Sequence, residues 1–186
     1  ISFPVWVMRA IDCLAQNKLL EENMAKILMQ IEGFGEIRLE LDEVNAPITS
    51  ANFIKLVKSG FYDGLTFHRI ISGFMIQGGD PVHNGMGGSD ENIKGEFLIN
   101  GVNNPISHKR GVISMARASD FNSASSQFFI VHEDATFLDG QYAAFGHVID
   151  GMDSVDAIAK LVRPIDGNGT VPFDRQPVIT KITVEE

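Results

Sequence analysis

The sequence has few of the residues that build disulfides, thiolate metal sites or nucleic-acid-binding surfaces. Its 186 residues include a single cysteine, Cys13, which excludes an intrachain disulfide and a cysteine-based zinc site. Lysine and arginine number 15 against 24 acidic residues, and the resulting net charge of −9 disfavours nucleic acid and anionic membranes as partners. No apolar run approaches the ~20 residues that span a membrane. We therefore expect a cytoplasmic protein that contacts neither nucleic acid nor membrane.

Motifs for metal and nucleophilic chemistry are also missing. The five histidines are not spaced as HxH or HExxH, so we predict no metal site and no cofactor. The serines of "NSASSQFF" lack a G-x-S-x-G turn, and nothing indicates a Ser-His-Asp triad. His108, Lys109 and Arg110 are interpreted as a solvated turn. The loop "HNGMGGSD" (83–90) fits no phosphate-binding pattern and indicates irregular backbone or a close approach.

The first 23 residues differ from the rest of the chain. "DCLAQNKLLEEN" has an approximately helical spacing of apolar residues, and Met24 resembles a start of translation directly before a strand. We interpret 1–23 as an N-terminal extension, an expression remnant or a docking arm, and 24–186 as the main domain. The dipeptide Phe3-Pro4 in this segment could occupy a groove on a neighbouring molecule.

The main domain has mostly β signals. "KILMQIE" (26–32) and "GEIRLEL" (35–41) predict a hairpin, because apolar and polar residues alternate in the second run. One helix is expected from a cap at Thr49 or Ser50 to Gly60, and a second from about Asp153 to Lys160. Further strands are predicted at 67–71, 74–78, 111–116, 127–131, 143–149 and 177–184. Many short strands with two helices predict a sandwich or a closed barrel, and closure would remove exposed strand edges.

Two polar side chains stand in an otherwise apolar stretch. Arg69 and Gln77 belong to "FHRIISGFMIQGGDP" and are an even number of residues apart, which places them on one face of an undistorted strand. Gln127 and Phe129 share a face for the same reason. The residues alone leave two interpretations open, because these side chains either bind a ligand or satisfy buried backbone groups.

Several stretches together resemble the cyclophilins, a family of peptidyl-prolyl cis-trans isomerases. They are "FHRIISGFMIQGGDP", "SMARA", "SSQFFI" and "FLDGQYAAFGHV". The resemblance runs from about Lys26 to the C-terminus, and "MARASDFNSASSQFFI" is most similar to the small bacterial members.

This resemblance implies a closed eight-stranded antiparallel β-barrel capped by two α-helices, with a groove on its outer surface. It implies an enzyme that accelerates rotation about X-Pro bonds and assists protein folding, with proline-containing peptides and unfolded proteins as partners, and a monomer. Arg69 would be catalytic. The proline pocket would comprise Phe74, Met75, Phe129 and Leu138. The substrate backbone would be held by Gln77, Gln127 and the strand Ala116-Arg117-Ala118, and Gly85 would lie beside an adjoining pocket.

Four positions depart from the family pattern. Ser72 stands where many members have proline, and Arg117 replaces a common asparagine, so contact there is expected through the backbone. Phe137 replaces a common tryptophan and lacks its indole N–H, which predicts weakened cyclosporin binding. Tyr142 replaces a histidine at the edge of the groove. Two alternative functions are a module that binds X-Pro segments as a chaperone or scaffold, with isomerisation incidental, and an unrelated hydrolase on a β-barrel.

Overall fold

The computed structural model describes residues 24–185. The predicted helical extension and the Phe3-Pro4 arm lie outside these residues. Within them the chain forms eight strands and two α-helices. These elements are β1 (Lys26–Ile31), β2 (Gly35–Leu41), α1 (Pro47–Lys58), β3 (Phe67–Ile71), β4 (Met75–Gly78), β5 (Val112–Met115), β6 (Phe128–Val131), β7 (Ala144–Asp150), α2 (Met152–Leu161) and β8 (Ile179–Glu185). No helix in the described part of the chain is long and apolar enough to cross a membrane.

The strands form one antiparallel sheet in the order β3-β4-β6-β5-β7-β2-β1-β8. The predicted hairpin of β1 and β2 is confirmed, with Ile27 opposite Leu39 and Ile31 opposite Gly35. The alternation that predicted β2 has the expected cause, because Ile37, Leu39 and Leu41 are fully buried on one face.

The prediction of a closed barrel is wrong, because the sheet is an open half-barrel. Its end strands, β3 and β8, share no ladder, and the segments preceding them meet at one isolated bridge between Thr66 and Val178. Beyond that bridge, the loop after α2 takes the place of β8, since Thr170 pairs with Arg69 on the outer edge of β3. A covering loop protects the backbone N–H and C=O groups of an edge strand, as a neighbouring strand in a closed barrel would. Closure of the sheet is therefore not needed for that purpose.

Helix α1 begins earlier than predicted and without the predicted cap. Its N-cap is Ala46 and Pro47 occupies the first turn, where a fixed φ and a missing N–H carry no penalty. Thr49 and Ser50 are fully buried inside the helix. The Thr49 backbone N–H donates to the carboxylate of Glu96 at 2.8 Å, so a side chain distant in sequence serves as the cap.

Helix α2 likewise begins without the predicted Asp153 cap. Its N-cap is Gly151, whose φ of +87° is a left-handed conformation. A Cβ at this position would collide with the carbonyl oxygen of Glu36, so the contact with β2 requires glycine. The apolar face predicted for this helix is confirmed, because Val155, Ile158 and Ala159 are buried.

Two apolar clusters lie on opposite faces of the sheet. The larger is the barrel core, where Phe53 meets Phe128 edge-to-face with a centroid distance of 5.5 Å. The smaller lies on the outer face and contains Phe129. Phe128 and Phe129 belong to different clusters because adjacent strand residues point to opposite faces. The outer cluster forms the floor of the site described next.

Candidate active site

A row of four side chains crosses the outer face of the sheet. Strand register places Arg69 opposite Gln77, Gln77 opposite Phe129, and Phe129 opposite Ser114. Arg69 and Gln77 therefore lie on one face of the sheet, as their even spacing predicted. They do so as partners across a hairpin rather than as members of one strand. The positive φ of Gly73, +79°, forms the turn between β3 and β4.

The guanidinium of Arg69 is held from two sides. Its Nε donates to the backbone oxygen of Asn168 at 2.8 Å, and one terminal nitrogen donates to Oε1 of Gln77 at 3.2 Å. The other terminal nitrogen lies 3.5 Å from Oδ1 of Asn168. Partial burial lowers the pKa of Arg69 from its ordinary value, but arginine remains a cation at neutral pH. The guanidinium carries more N–H donors than these three contacts use, so donors remain for a ligand.

The hydrogen bonds continue from Arg69 into the glycine-rich loop. Gln77 donates to Oε1 of Gln127 at 3.0 Å, and Gln127 donates to the backbone oxygens of Gly85 and Gly87 at 3.0 and 2.7 Å. In each of these bonds the donor is the residue nearer to Arg69. The two amide side chains therefore form a continuous chain of hydrogen bonds from the guanidinium to the loop. The loop also approaches its surroundings closely, as predicted, since a Cβ at Gly88 would collide with the Ser125 hydroxyl.

Most of the predicted site residues line one cavity of about 960 Å³. Its lining includes Arg69, Phe74, Met75, Gln77, Gly85, Ala116, Arg117, Phe129, Leu138 and Tyr142. An adjoining cavity of about 330 Å³ is lined by Gln127 and Ala118, and shares Gln77, Gly85, Ala116 and Arg117 with the first. The sequence therefore selected side chains that the fold brings together, and their individual roles stay predictions.

Phe137 lines neither of these two cavities. Its side chain is 65% exposed, and its ring lies 5.5 Å from that of Phe74, which does line the larger cavity. The Arg117 side chain is directed to the rim, where it donates to the Gln141 backbone oxygen at 2.9 Å and covers the ring of Tyr142 at 4.6 Å.

A Ser-His-Asp arrangement that the sequence did not reveal lies beneath Phe129. His108 Nδ1 is 2.9 Å from Asp139, and Nε2 is 3.0 Å from the Ser114 hydroxyl. These are the distances of a hydrolytic triad, but His108 and Ser114 are fully buried and no substrate carbonyl can reach the hydroxyl. The prediction that His108 lies in a solvated turn is wrong. Its ring stacks near Phe129 at 6.1 Å, so the arrangement supports the cavity floor.

Comparison with known proteins identifies the family of this chain. The family model described as cyclophilin type peptidyl-prolyl cis-trans isomerase/CLD matches residues 26–184. The chain belongs to the cyclophilins. The predicted family and the predicted enzyme class, peptidyl-prolyl cis-trans isomerase, are thereby confirmed.

Named relatives agree with this assignment. A peptidyl-prolyl cis-trans isomerase of Helicobacter pylori is 40% identical over 151 residues, which cover 79% of this chain and 90% of the relative. Peptidyl-prolyl cis-trans isomerase B of Bacillus subtilis is 46% identical over 123 residues, covering 66% and 82%. A cyclophilin type isomerase of Cryptosporidium parvum, solved in the presence of the dipeptide Ala-Pro, is similar with a TM-score of 0.76 and 31% identity, covering 87% of this chain and 99% of that one.

The larger cavity of this cyclophilin also has lining residues that sequence reasoning missed. They come from β3, the start of the glycine-rich loop with the residue before it, and the loop after α2, and include His68, Val82, His83, Asn168, Phe173 and Gln176. Asn168, which holds Arg69, lies 99 residues away in sequence. No local pattern marks such a residue, because its position depends on how the loop after α2 packs against β3.

The buried histidines of this cyclophilin predict a loss of stability in acid. Burial lowers the pKa of His68, and burial lowers that of His108 although Asp139 partly offsets it. Histidine in an unfolded chain has a pKa of about 6.5. Below that value the unfolded chain takes up more protons than the folded protein, so the free energy of unfolding falls as the pH falls.

Urea unfolding at pH 7.5 and pH 5.5 measures this loss. One histidine contributes at most about 1.4 kcal/mol per pH unit below 6.5. We therefore expect His68→Leu to reduce the difference in the free energy of unfolding between pH 7.5 and pH 5.5 by up to that amount. If this difference in the free energy of unfolding is the same in the variant as in the wild-type protein, His68 does not contribute to the loss of stability in acid.

Proposed function

We propose that this cyclophilin accelerates X-Pro rotation by electrostatic stabilisation of the twisted amide, with Arg69 as the catalytic residue. The observation that supports the proposal is the cation itself, which is half-buried, fixed by Asn168 and Gln77, and adjacent to an apolar cavity floor. Neither a metal nor a nucleophile is needed, since no covalent bond is broken.

The chemistry requires only that the site bind the twisted amide better than either planar form. Rotation breaks amide resonance, which gives a barrier of about 18–20 kcal/mol and exchange over tens to hundreds of seconds in free peptides. An interaction that is stronger in the twisted state lowers the barrier, whereas one equal in all states does not.

Arg69 meets this requirement through the proline nitrogen. As resonance is lost, that nitrogen regains a lone pair and accepts a hydrogen bond, which the planar amide accepts poorly. The guanidinium is permanently charged and its donors have a rigid geometry, so a donor held in place needs little reorganisation. The contacts to Asn168 and Gln77 restrict the guanidinium in this way.

The apolar floor would hold the proline ring while the preceding residue turns. Met75, Phe129 and Leu138 are almost fully buried beneath the cavity, and Phe74 packs against them. We infer that these four residues form the proline pocket. The segment Ala116-Arg117-Ala118, which was predicted as a strand but directly follows the end of β5 at Met115, would bind the substrate backbone together with the amides of Gln77 and Gln127.

The substrates we propose are X-Pro bonds in flexible peptides and unfolded proteins, and the cellular role is assistance to folding, by a cytoplasmic monomer. The presence of an Ala-Pro dipeptide with the Cryptosporidium parvum relative supports proline as the recognised residue. Slow X-Pro exchange limits the folding of many chains, so acceleration has a direct benefit.

NMR exchange spectroscopy on an alanine-rich peptide with one X-Pro bond tests the proposal. We expect catalytic amounts of protein to increase the cis-trans exchange rate. Binding without faster exchange would instead favour a recognition module, and no exchange or binding would exclude this groove as the active site.

A single substitution at the groove edge tests the predicted weakness towards cyclosporin. Phe137→Trp supplies an indole N–H at an exposed position, and one hydrogen bond contributes about 0.5–1.5 kcal/mol. We expect cyclosporin to bind about threefold to tenfold more tightly, as measured by calorimetric titration. Phe137→Leu, which adds no donor, serves as the control, and equal affinities of the two variants would contradict the role of the N–H.

A further inference from the structure

The larger cavity extends past Arg69 to a second apolar wall that the proline pocket does not use. Val82, directly before the glycine-rich loop, and Phe173 of the loop after α2 line this part. Their side chains are 56% and 67% exposed, respectively. The proline pocket lies over β4 and β6, whereas the loop carrying Phe173 lies beyond β3, on the opposite side of Arg69.

The backbone around this wall is held in a strained conformation. Within residues 24–185, His83 is the one non-glycine residue with a positive φ, +61°. Its Nδ1 lies 2.8 Å from the Thr66 hydroxyl, and its backbone oxygen accepts a hydrogen bond from the Gln176 amide at 3.0 Å. Strain of this kind persists only where surrounding contacts enforce it, and it occurs often at ligand sites.

The same contacts join the two loops. Gln176 also donates to the backbone oxygen of Val171 at 2.8 Å, and the ring of Phe173 lies 4.9 Å from that of His83. The wall is therefore a preformed feature built from two loops, with an exposed aromatic ring at its mouth.

We propose that Val82, His83 and Phe173 form a subsite for a large apolar side chain of the same peptide that places its proline over Phe129. This inference rests on the proposed function and adds a sequence preference to it. The occupant follows from continuity, because one cavity is lined both by the residues of the proline pocket and by those of the wall.

Strand spacing sets how far this side chain lies from the proline. Phe129 is on β6, two strands from β3, and the loop with Thr170 lies one spacing further. Three spacings amount to about 14 Å, or about four residues of extended peptide. The recognised residue therefore lies within about four positions of the proline, on the side directed away from Ala116-Arg117-Ala118.

The chemistry of the wall favours an apolar side chain over a cation. The nearby Asp80 carboxylate accepts hydrogen bonds from the backbone N–H groups of Val82 and Asn84 at 2.7 and 3.0 Å. Its oxygens thus stabilise the loop and are not directed to a ligand. Exposed aromatic and aliphatic surface within a groove indicates apolar recognition.

A positional scan tests the subsite. The probes are alanine peptides with a single proline and one phenylalanine, placed in turn at each of about four positions before and after the proline, following the spacing argument. The measured quantity is the ratio of kcat/KM for each peptide to that of the parent with alanine only. We expect one position at which phenylalanine raises this ratio about fivefold for the wild-type protein.

Two variants locate the effect. Phe173→Ser and Val82→Ser, on different loops, should each bring the ratio at that position close to one. Leu161→Ser is the matched control, since Leu161 is 64% exposed at the end of α2 and lines none of the cavities described above. It should leave the ratio as in wild type.

The outcomes separate this inference from the proposed function. If the wild-type protein accelerates the parent peptide but phenylalanine gives no gain at any position, the subsite is refuted and the isomerase mechanism stands. A gain that survives in both loop variants also refutes it. If the parent peptide itself is not accelerated, the proposed function fails.

Discussion

Replacing Arg69 by alanine is expected to lower kcat/KM at least tenfold, which corresponds to about 1.4 kcal/mol or more of lost transition-state stabilisation. The reason is that the guanidinium supplies the only interaction in the proposal that grows as the amide twists. Protease-coupled or NMR exchange assays on one X-Pro peptide measure the loss. The fold should remain, because Arg69 is only partly buried and belongs to the outer face of the sheet.

Two further variants separate geometry from charge. Arg69→Lys keeps a cation but loses the planar group that Asn168 and Gln77 hold, so most of the loss should persist. Arg163→Ala removes an exposed arginine that lines none of these cavities and should retain wild-type turnover. Near-wild-type turnover of Arg69→Ala, with an unchanged circular dichroism spectrum, would remove Arg69 from the mechanism.

Replacing Asp139 by alanine is expected to lower the free energy of unfolding by about 2–4 kcal/mol. Its carboxylate accepts hydrogen bonds from the Ser107 hydroxyl at 2.6 Å, the His108 backbone N–H at 2.7 Å and the His108 ring at 2.9 Å. Burial tends to raise the pKa of Asp139, but these bonds outweigh it and the pKa is lowered. Alanine would leave the donors of a fully buried histidine without partners. Urea unfolding at neutral pH measures the loss.

Asp134→Ala is the matched control for this prediction. Asp134 accepts from Lys109 and from the Arg110 backbone on the surface, where ion pairs contribute about 0–1 kcal/mol. A loss as small in Asp139→Ala as in Asp134→Ala would show that the buried arrangement beneath Phe129 does not stabilise the fold.

The two predictions assign different roles to the two sides of Phe129. Above the ring, Arg69 and Gln77 line the larger cavity, and Gln127 lines the adjoining one, where we propose that they act on a ligand. Below it, His108 is hydrogen-bonded to Asp139 and to Ser114, and both His108 and Ser114 are fully buried. On these predictions a constellation with hydrolytic distances contributes stability, and the burial of Ser114 gives no support to the hydrolase alternative.

Local patterns in the sequence predicted the elements and singled out two polar side chains of the candidate site, whereas the residues of the proposed proline pocket came from the resemblance to the cyclophilins. Alternation predicted β2, helical spacing predicted the buried face of α2, and polar residues in an apolar stretch selected Arg69 and Gln77. Each of these signals depends on neighbours within a few residues, because strand and helix periods decide which face a side chain occupies.

Only the tertiary structure decided the features that join distant segments. The sequence did not show that the sheet stays open, that Glu96 caps α1, that Asn168 holds Arg69, or that His83 meets Phe173. It also placed His108 on the surface, whereas the fold buries it against Asp139 and Ser114. The physical reason is the same in each case. These contacts depend on loop packing and strand order, which no local period encodes.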